Sequence, residues 1–177
     1  MSNARAFHYT TGNKLALIAR SNSLTPTNVM VAPKEKAILW FSANPVYEPT
    51  AVKLVMTSET QARRPSVEEL HEIIGIFRFG IPAKDARLIP FNKLALLAHI
   101  PKRDVTQMIA SGMRIGATPV HWTGSFSSIP LSELEFEAWN GERWVAGQLQ
   151  DAIDRIRSNG REVMSVSAAA LGLTNAY

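Results

Sequence analysis

Cysteine is absent from the 177 residues, which excludes disulfides, a thiol nucleophile and thiolate metal ligands, and fits a reducing compartment. Histidine is scarce too. His8, His71, His99 and His121 stand alone, without a His-x-x-x-His or His-x-Glu spacing, so no metal site is expected. The chain has neither the Gly-x-Gly-x-x-Gly loop that cradles a dinucleotide pyrophosphate nor the Gly-x-Ser-x-Gly elbow of serine hydrolases. No apolar run approaches the eighteen or so residues of a membrane span, and the first twenty residues lack a basic stretch leading into an apolar one. A cytoplasmic protein with no membrane partner is therefore expected.

What is present describes a folded globule. Hydrophobic residues make up 46% of the chain and include four tryptophans, enough to bury a core within one domain of this length. The formal charge of +4 suits an anionic partner. The cations come as scattered pairs (Lys34 and Lys36, Arg63 and Arg64, Lys102 and Arg103) rather than as one stripe.

A strand at Phe7 to Thr11 leads into a helix over Gly12 to Ser21, whose Leu15, Ile18 and Ala19 recur at helical spacing. A second strand, Ala37 to Ser42, ends at Asn44-Pro45, because proline removes a ladder donor. Ala51 to Met56 reads as a further strand, and the polar Thr57 to Pro65 as a mobile surface segment. Ser66 followed by Glu69 signals a short helix start, and Ile73 to Phe79 a buried strand closed by Gly80-Ile81-Pro82. Two helices, Pro90 to His99 and Lys102 to Met113, flank Pro101; 116–130 reads as loop. Leu131 to Trp139 pairs with Glu142 to Val145 across Asn140-Gly141, a hairpin signal, and Gln148 to Ser158 is a terminal amphipathic helix. Residues 163–173 are rich in Ala and Ser and read ambiguously.

Alternation along a strand sets which residues share a face. His8 and Thr10 do so, as do Trp40 and Ser42, and as do Glu133, Glu135 and Glu137. In this order, His8-Tyr9-Thr10, then Trp40-Phe41-Ser42, then Glu137 resembles the landmarks of the ADP-ribosyltransferase superfamily, in its His-Tyr-Glu branch with Trp40 in place of the usual tyrosine. The resemblance spans roughly residues 5 to 145. It implies an α+β fold of split, mostly antiparallel sheets with flanking helices, with 146–177 a C-terminal helical extension. The implied activity is cleavage of NAD between nicotinamide and ribose, with ADP-ribose passed to an acceptor that the sequence does not identify (protein, nucleic acid, small molecule or water).

The resemblance also implies roles, each with a physical reason. His8 and Thr10 would hold the adenosine ribose. Trp40 would offer its π-face to the cationic nicotinamide ring, and Ser42 would bond the nicotinamide ribose. Glu137 would stabilise the oxocarbenium-like anomeric carbon as the glycosidic bond breaks. Glu135 would assist the acceptor, as the first glutamate does in the Glu-x-Glu of the arginine-modifying branch. Which of Glu133, Glu135 and Glu137 is catalytic stays open. Tyr47 and Glu48 would cap the nicotinamide end, and Arg78 or Arg20 would meet the pyrophosphate, although Arg78 lies between Phe77 and Phe79 and suits a buried ion pair as well.

A different reading fits Leu94 to Ser111. Two helices around Pro101 would form a helix-turn-helix that directs Lys102, Arg103, Thr106 and Gln107 into a nucleic-acid groove, with the Asn140-Gly141 hairpin as a wing. Four glutamates on that wing would repel phosphates.

Overall fold

The computed structural model describes residues 4–27, 34–51, 55–56 and 62–158. It is a mixed α and β fold built on one seven-stranded antiparallel sheet and five helices. The strands are β1 (Arg5–Thr11), β2 (Ser23–Leu24), β3 (Leu39–Ser42), β4 (Val55–Met56), β5 (Ala62–Arg63), β6 (Ile76–Pro82), β7 (Ile89–Pro90), β8 (Trp122–Ser125), β9 (Ile129–Pro130), β10 (Glu135–Trp139) and β11 (Trp144–Ala146). The helices are α1 (Gly12–Ser21), α2 (Val67–Ile74), α3 (Phe91–Leu97), α4 (Lys102–Arg114) and α5 (Leu149–Ser158). The main sheet runs β11-β10-β6-β1-β3-β8-β7, and β2-β9 and β4-β5 pair separately.

Register decides which side chains share a side of the sheet. His8 lies opposite Phe79 and Thr10 opposite Phe77, while Phe136 and Ala138 lie opposite Phe79 and Phe77. These residues belong to the inner face, where Leu39 and Phe41 of β3 join the core with Leu15 of α1 and Ile153 and Ile156 of α5. Helix α5 thus belongs to the core rather than to an appended extension. The opposite, outer face carries Phe7, Tyr9, Arg78, Glu135 and Glu137 together with Ser42, Trp40 and Trp122, as the pairs Phe7–Ser42, Glu137–Arg78 and Ser42–Trp122 require. Two clusters cover it. Helices α3 and α4 pack Phe91, Ala95, Val105 and Ile109 against Trp122 and Trp40, and α2 packs Leu70 and Ile74 against Trp139 and Trp144.

Several elements differ in extent from the sequence expectation. Helix α2 runs through Ile74, because the Ser66 capping box is complete and Gly75, at φ 72°, stops the helix only there. Strand β6 then starts at Ile76 and continues through Gly80-Ile81-Pro82. Residues 116–130 contain β8, held on both sides by β3 and β7. Glu133 sits in a 3-10 turn after Pro130 and pairs with Arg87 at 2.7 Å, so it does not alternate with Glu135 and Glu137. The hairpin loop has four residues, since Trp139 pairs with Trp144, and Asn140 Oδ1 accepts the backbone N–H groups of Glu142 and Arg143. Most of the segment read as mobile lies outside the described residues, as do 52–54 of the Ala51 to Met56 strand and the whole of 163–173; Ala62–Arg63 pairs with Val55–Met56. No described helix is long and apolar enough to cross a membrane.

Candidate functional site

The first two landmarks are neighbours. Strands β1 and β3 are registered at a single pair, Phe7 with Ser42, and one residue further the His8 imidazole Nδ1 lies 2.9 Å from the Trp40 carbonyl oxygen. There the side chain of one strand occupies the hydrogen-bonding edge of the other, and the ladder stops. His8 also packs against the Phe41 ring, with centroids 5.8 Å apart. His8 and Thr10 nevertheless project to the inner face and Trp40 and Ser42 to the outer, so the four do not line one cleft. Physically this follows from parity: the Phe7–Ser42 register puts odd-numbered residues of β1 on the side of even-numbered residues of β3.

The third landmark is farther away. Strand β10 is three places from β3 in the sheet, roughly 14 Å at the usual strand spacing. Glu137 pairs with the Arg78 Nε, and Glu135 with Arg5. Arg78 is buried and also donates to the Pro45 carbonyl at 3.2 Å. Its guanidinium lies between the Phe7 ring, 3.6 Å from the centroid, and the Trp144 ring, 4.4 Å away. An arginine sandwiched and paired in this way is a structural ion pair, and its guanidinium is committed to Glu137 and Pro45 rather than to a pyrophosphate.

On the outer face beside Trp40, the residues that converge are different. Ser42 Oγ donates to Glu48 Oε2 at 2.7 Å. Thr50 Oγ1 donates to Glu48 Oε1 at 2.6 Å, the Thr50 backbone N–H at 3.2 Å and the Trp122 indole N–H at 3.1 Å. Glu48 is only 4% exposed. Four donors replace the water it loses, so both carboxyl oxygens are hydrogen-bonded in a buried place. The loop that delivers it is fixed by Asn44, whose Oδ1 accepts from the Val46 and Tyr47 N–H groups while its own N–H donates to Ser42 Oγ. That Asn-Pro pair ends β3 and starts this turn. The sequence therefore carried the signal for the loop, although Glu48 itself had no spacing to single it out.

Tyr47 sits over this loop, its ring edge-on to Tyr9 with centroids 5.4 Å apart. Burial pushes the hydroxyl pKa of both tyrosines upward; for Tyr9, hydrogen bonds from Arg78 and the Glu48 backbone oppose the rise, and for Tyr47 the neighbouring Tyr9 adds to it. Trp40 is half-buried, and its indole leans on Phe91 at 6.1 Å and 43°. An open groove of about 390 Å³ lies elsewhere, between Phe79, Glu135, Phe136 and Glu137 on the sheet and Gln148 and Leu149 at the start of α5, so two of the glutamates expected from the sequence line it. Among the described residues no group of three His, Asp or Glu side chains is arranged to hold a metal ion.

Helices α3 and α4 are joined by four residues, and His99 takes the left-handed conformation at φ 61°. The β10–β11 hairpin is no wing to them, because it lies at the opposite edge of the sheet from β7, six strand places or roughly 28 Å away. Compared with known families, curated proteins and solved structures, the chain matches no family model, no curated protein and no solved structure.

Proposed function

We propose that the chain is an NAD-dependent mono-ADP-ribosyltransferase or NAD glycohydrolase, with its reaction centre on the outer face at Trp40, Ser42 and Glu48. The observation that carries this reading is the 2.7 Å hydrogen bond from Ser42 to Glu48. It sets a fixed carboxylate next to the Trp40-Phe41-Ser42 strand, on the side where Trp40 presents its ring.

When the nicotinamide–ribose bond breaks, the pyridinium ring takes the bonding pair and leaves as neutral nicotinamide while the positive charge passes to the ribose, so the site calls for an aromatic platform under the bound cationic ring and a fixed negative charge within reach of the anomeric carbon. Nicotinamide and its ribose are directly bonded, so both groups must lie within a few ångströms of each other. Glu48 bonds Ser42, which shares the outer face of β3 with Trp40 two residues along the strand. Glu137 lies three strands from β3, roughly 14 Å across the sheet, so the role passes from Glu137 to Glu48. His8 then acts by holding the Trp40 backbone through its carbonyl, instead of gripping the adenosine ribose, and Ser42 orients the carboxylate.

The test is release of free nicotinamide from NAD, with Glu48→Gln and Glu137→Gln beside the wild type and with a cell extract as acceptor source. Glu48→Gln is expected to lower turnover at least 100-fold while NAD still raises the melting temperature, and Glu137→Gln to stay within a few-fold of wild type. Loss of turnover in Glu137→Gln alone would return the role to that residue. No release by the wild type, together with no NAD-induced shift in melting temperature, would overturn the reading.

A further inference from the structure

Charge is distributed along the sheet by sequence region. Between Leu88 and Ser132, the segment that builds β7, α3, α4 and β8, four cations (Lys93, Lys102, Arg103 and Arg114) face one acid, Asp104. From Glu133 to Ala146, which builds β10 and β11 at the other edge, four glutamates face one cation, Arg143. Exposed Lys34 and Lys36, with Glu35 between them, add one net positive charge to the basic end, because the Lys36 backbone N–H donates to the Ala98 carbonyl at the close of α3, 3.0 Å away.

Helix α4 organises that end. Val105, Met108 and Ile109 turn inward to the Trp122 cluster, and Gly112 is buried. The opposite stripe at helical spacing is Arg103, Gln107, Ala110 and Arg114, all exposed. It contains no acid. Asp104 lies at its margin and touches Arg103 Nε at 3.1 Å, but Arg103 is 88% exposed, and so open a pair is weak, which leaves the guanidinium available to phosphate. Arg114 makes one further exposed contact, to the Ser111 hydroxyl. Thr106 returns its hydroxyl to the Lys102 carbonyl, so it is no base reader.

We propose that this exposed stripe of α4 docks on double-stranded DNA, with Arg103 and Arg114 on backbone phosphates and Gln107 between them at the base edges. The major groove of B-form DNA is about 12 Å wide and admits a helix, whereas the deep, narrow groove of A-form RNA does not. The α3–turn–α4 unit holds the helix rigidly, since both helices share the Phe91–Trp122 cluster. The inference does not rest on NAD chemistry. Leu96, Met113 and Val120 are also exposed, but Met113 falls off the stripe and Leu96 and Val120 lie outside α4.

The test is fluorescence anisotropy of a labelled mixed-sequence duplex, without NAD, so that its failure leaves the NAD reading untouched. Two phosphate contacts, from Arg103 and Arg114, predict a loss of roughly 12-fold in affinity between about 50 and about 200 mM salt. Arg103→Glu with Arg114→Glu is expected to weaken binding more than tenfold. Arg143→Glu with Arg155→Glu makes the same change in net charge away from the stripe and is expected to stay within about twofold, with both pairs melting close to wild type. An equal loss in both pairs, or tighter binding to single-stranded DNA or duplex RNA, would overturn the proposal. So would no duplex binding at low salt, and self-association abolished by Leu96→Asp would then assign the face to a protein contact.

Discussion

Ser42 Oγ donates to Glu48 Oε2 at 2.7 Å with both residues almost wholly buried. The carboxylate joins three parts of the chain, namely the end of β3, the turn at Thr50 and the Trp122 indole of β8. Removing the acceptor leaves three side-chain donors unpaired, at a cost of about 1–3 kcal/mol for each that water does not reach. Glu48→Ala is therefore expected to lose about 3 kcal/mol or more, and Ser42→Ala about 1–2 kcal/mol, because Glu48 keeps its other donors. Urea unfolding of the two variants and of the double variant measures this, and strict additivity would show that the hydrogen bond does not couple them.

Arg78 and Glu137 make a second polar contact of the outer face, and its energetics should be opposite in kind. Removing one partner of a buried pair strands the other charge, whereas replacing both with apolar groups removes the desolvation penalty as well. Glu137→Leu alone is expected to destabilise by about 2–3 kcal/mol, moderated because its side chain keeps 23% of its exposure. Arg78→Met together with Glu137→Leu should regain most of that loss, since Met still fills the space between Phe7 and Trp144. Chemical denaturation of the three variants decides the matter, and a double variant weaker than either single one would count against this account.

The sequence reveals what is local and hides what depends on register. Helix α1 is legible from its apolar spacing, and α2 from the Ser66–Glu69 capping box, which the fold completes with bonds in both directions. Strand β8 is not legible, because Trp122-Thr123-Gly124-Ser125 has a glycine in its middle and no β-branched run; pairing with both β3 and β7 overrides that weak propensity. Alternation correctly pairs His8 with Thr10 and Trp40 with Ser42. It cannot say that the two pairs point to opposite sides, which depends on the Phe7–Ser42 register. Likewise, the equal spacing of Glu133, Glu135 and Glu137 does not reveal that Pro130 starts a 3-10 turn, which takes Glu133 to Arg87.

The buried tyrosines set an alkaline limit. Burial is the main cause that raises the hydroxyl pKa of Tyr9 and of Tyr47 above the ordinary value of 10.0. Above that pH the unfolded chain releases these protons while the folded chain still holds them, so the folded state binds more protons and stability falls as pH rises. The contribution is full below about pH 10 and is lost progressively above it. Tyr47→Phe is expected to flatten the fall in melting temperature between about pH 10 and pH 11, and Tyr9→Phe to do so less, because Arg78 and the Glu48 backbone favour the Tyr9 phenolate. Thermal melts across that range measure the slope, and unchanged slopes in both variants would show that other groups control the alkaline limb.

Gly112 brings α4 onto the sheet. A Cβ there would lie 2.6 Å from two ring atoms of Trp122 and 3.4 Å from the Thr50 methyl. Two effects compete in Gly112→Ala. Alanine in a helix interior is favoured over glycine by about 1 kcal/mol, whereas overpacking a filled core costs about 1–3 kcal/mol. The outcome depends on whether Trp122 can retreat. Its indole N–H is tied to Glu48 and its ring is edge-on to Phe91 at 5.0 Å, so it is held from two directions and the overlap must push α4 outward instead. A net destabilisation of about 1–2 kcal/mol is expected, and it should shrink when combined with Trp122→Phe, which removes the overlapping ring atoms. If Gly112→Ala raised the denaturation midpoint in the otherwise wild-type protein, the indole would have to be free to move, and the Glu48 network would not be the rigid support that the proposed reaction centre requires.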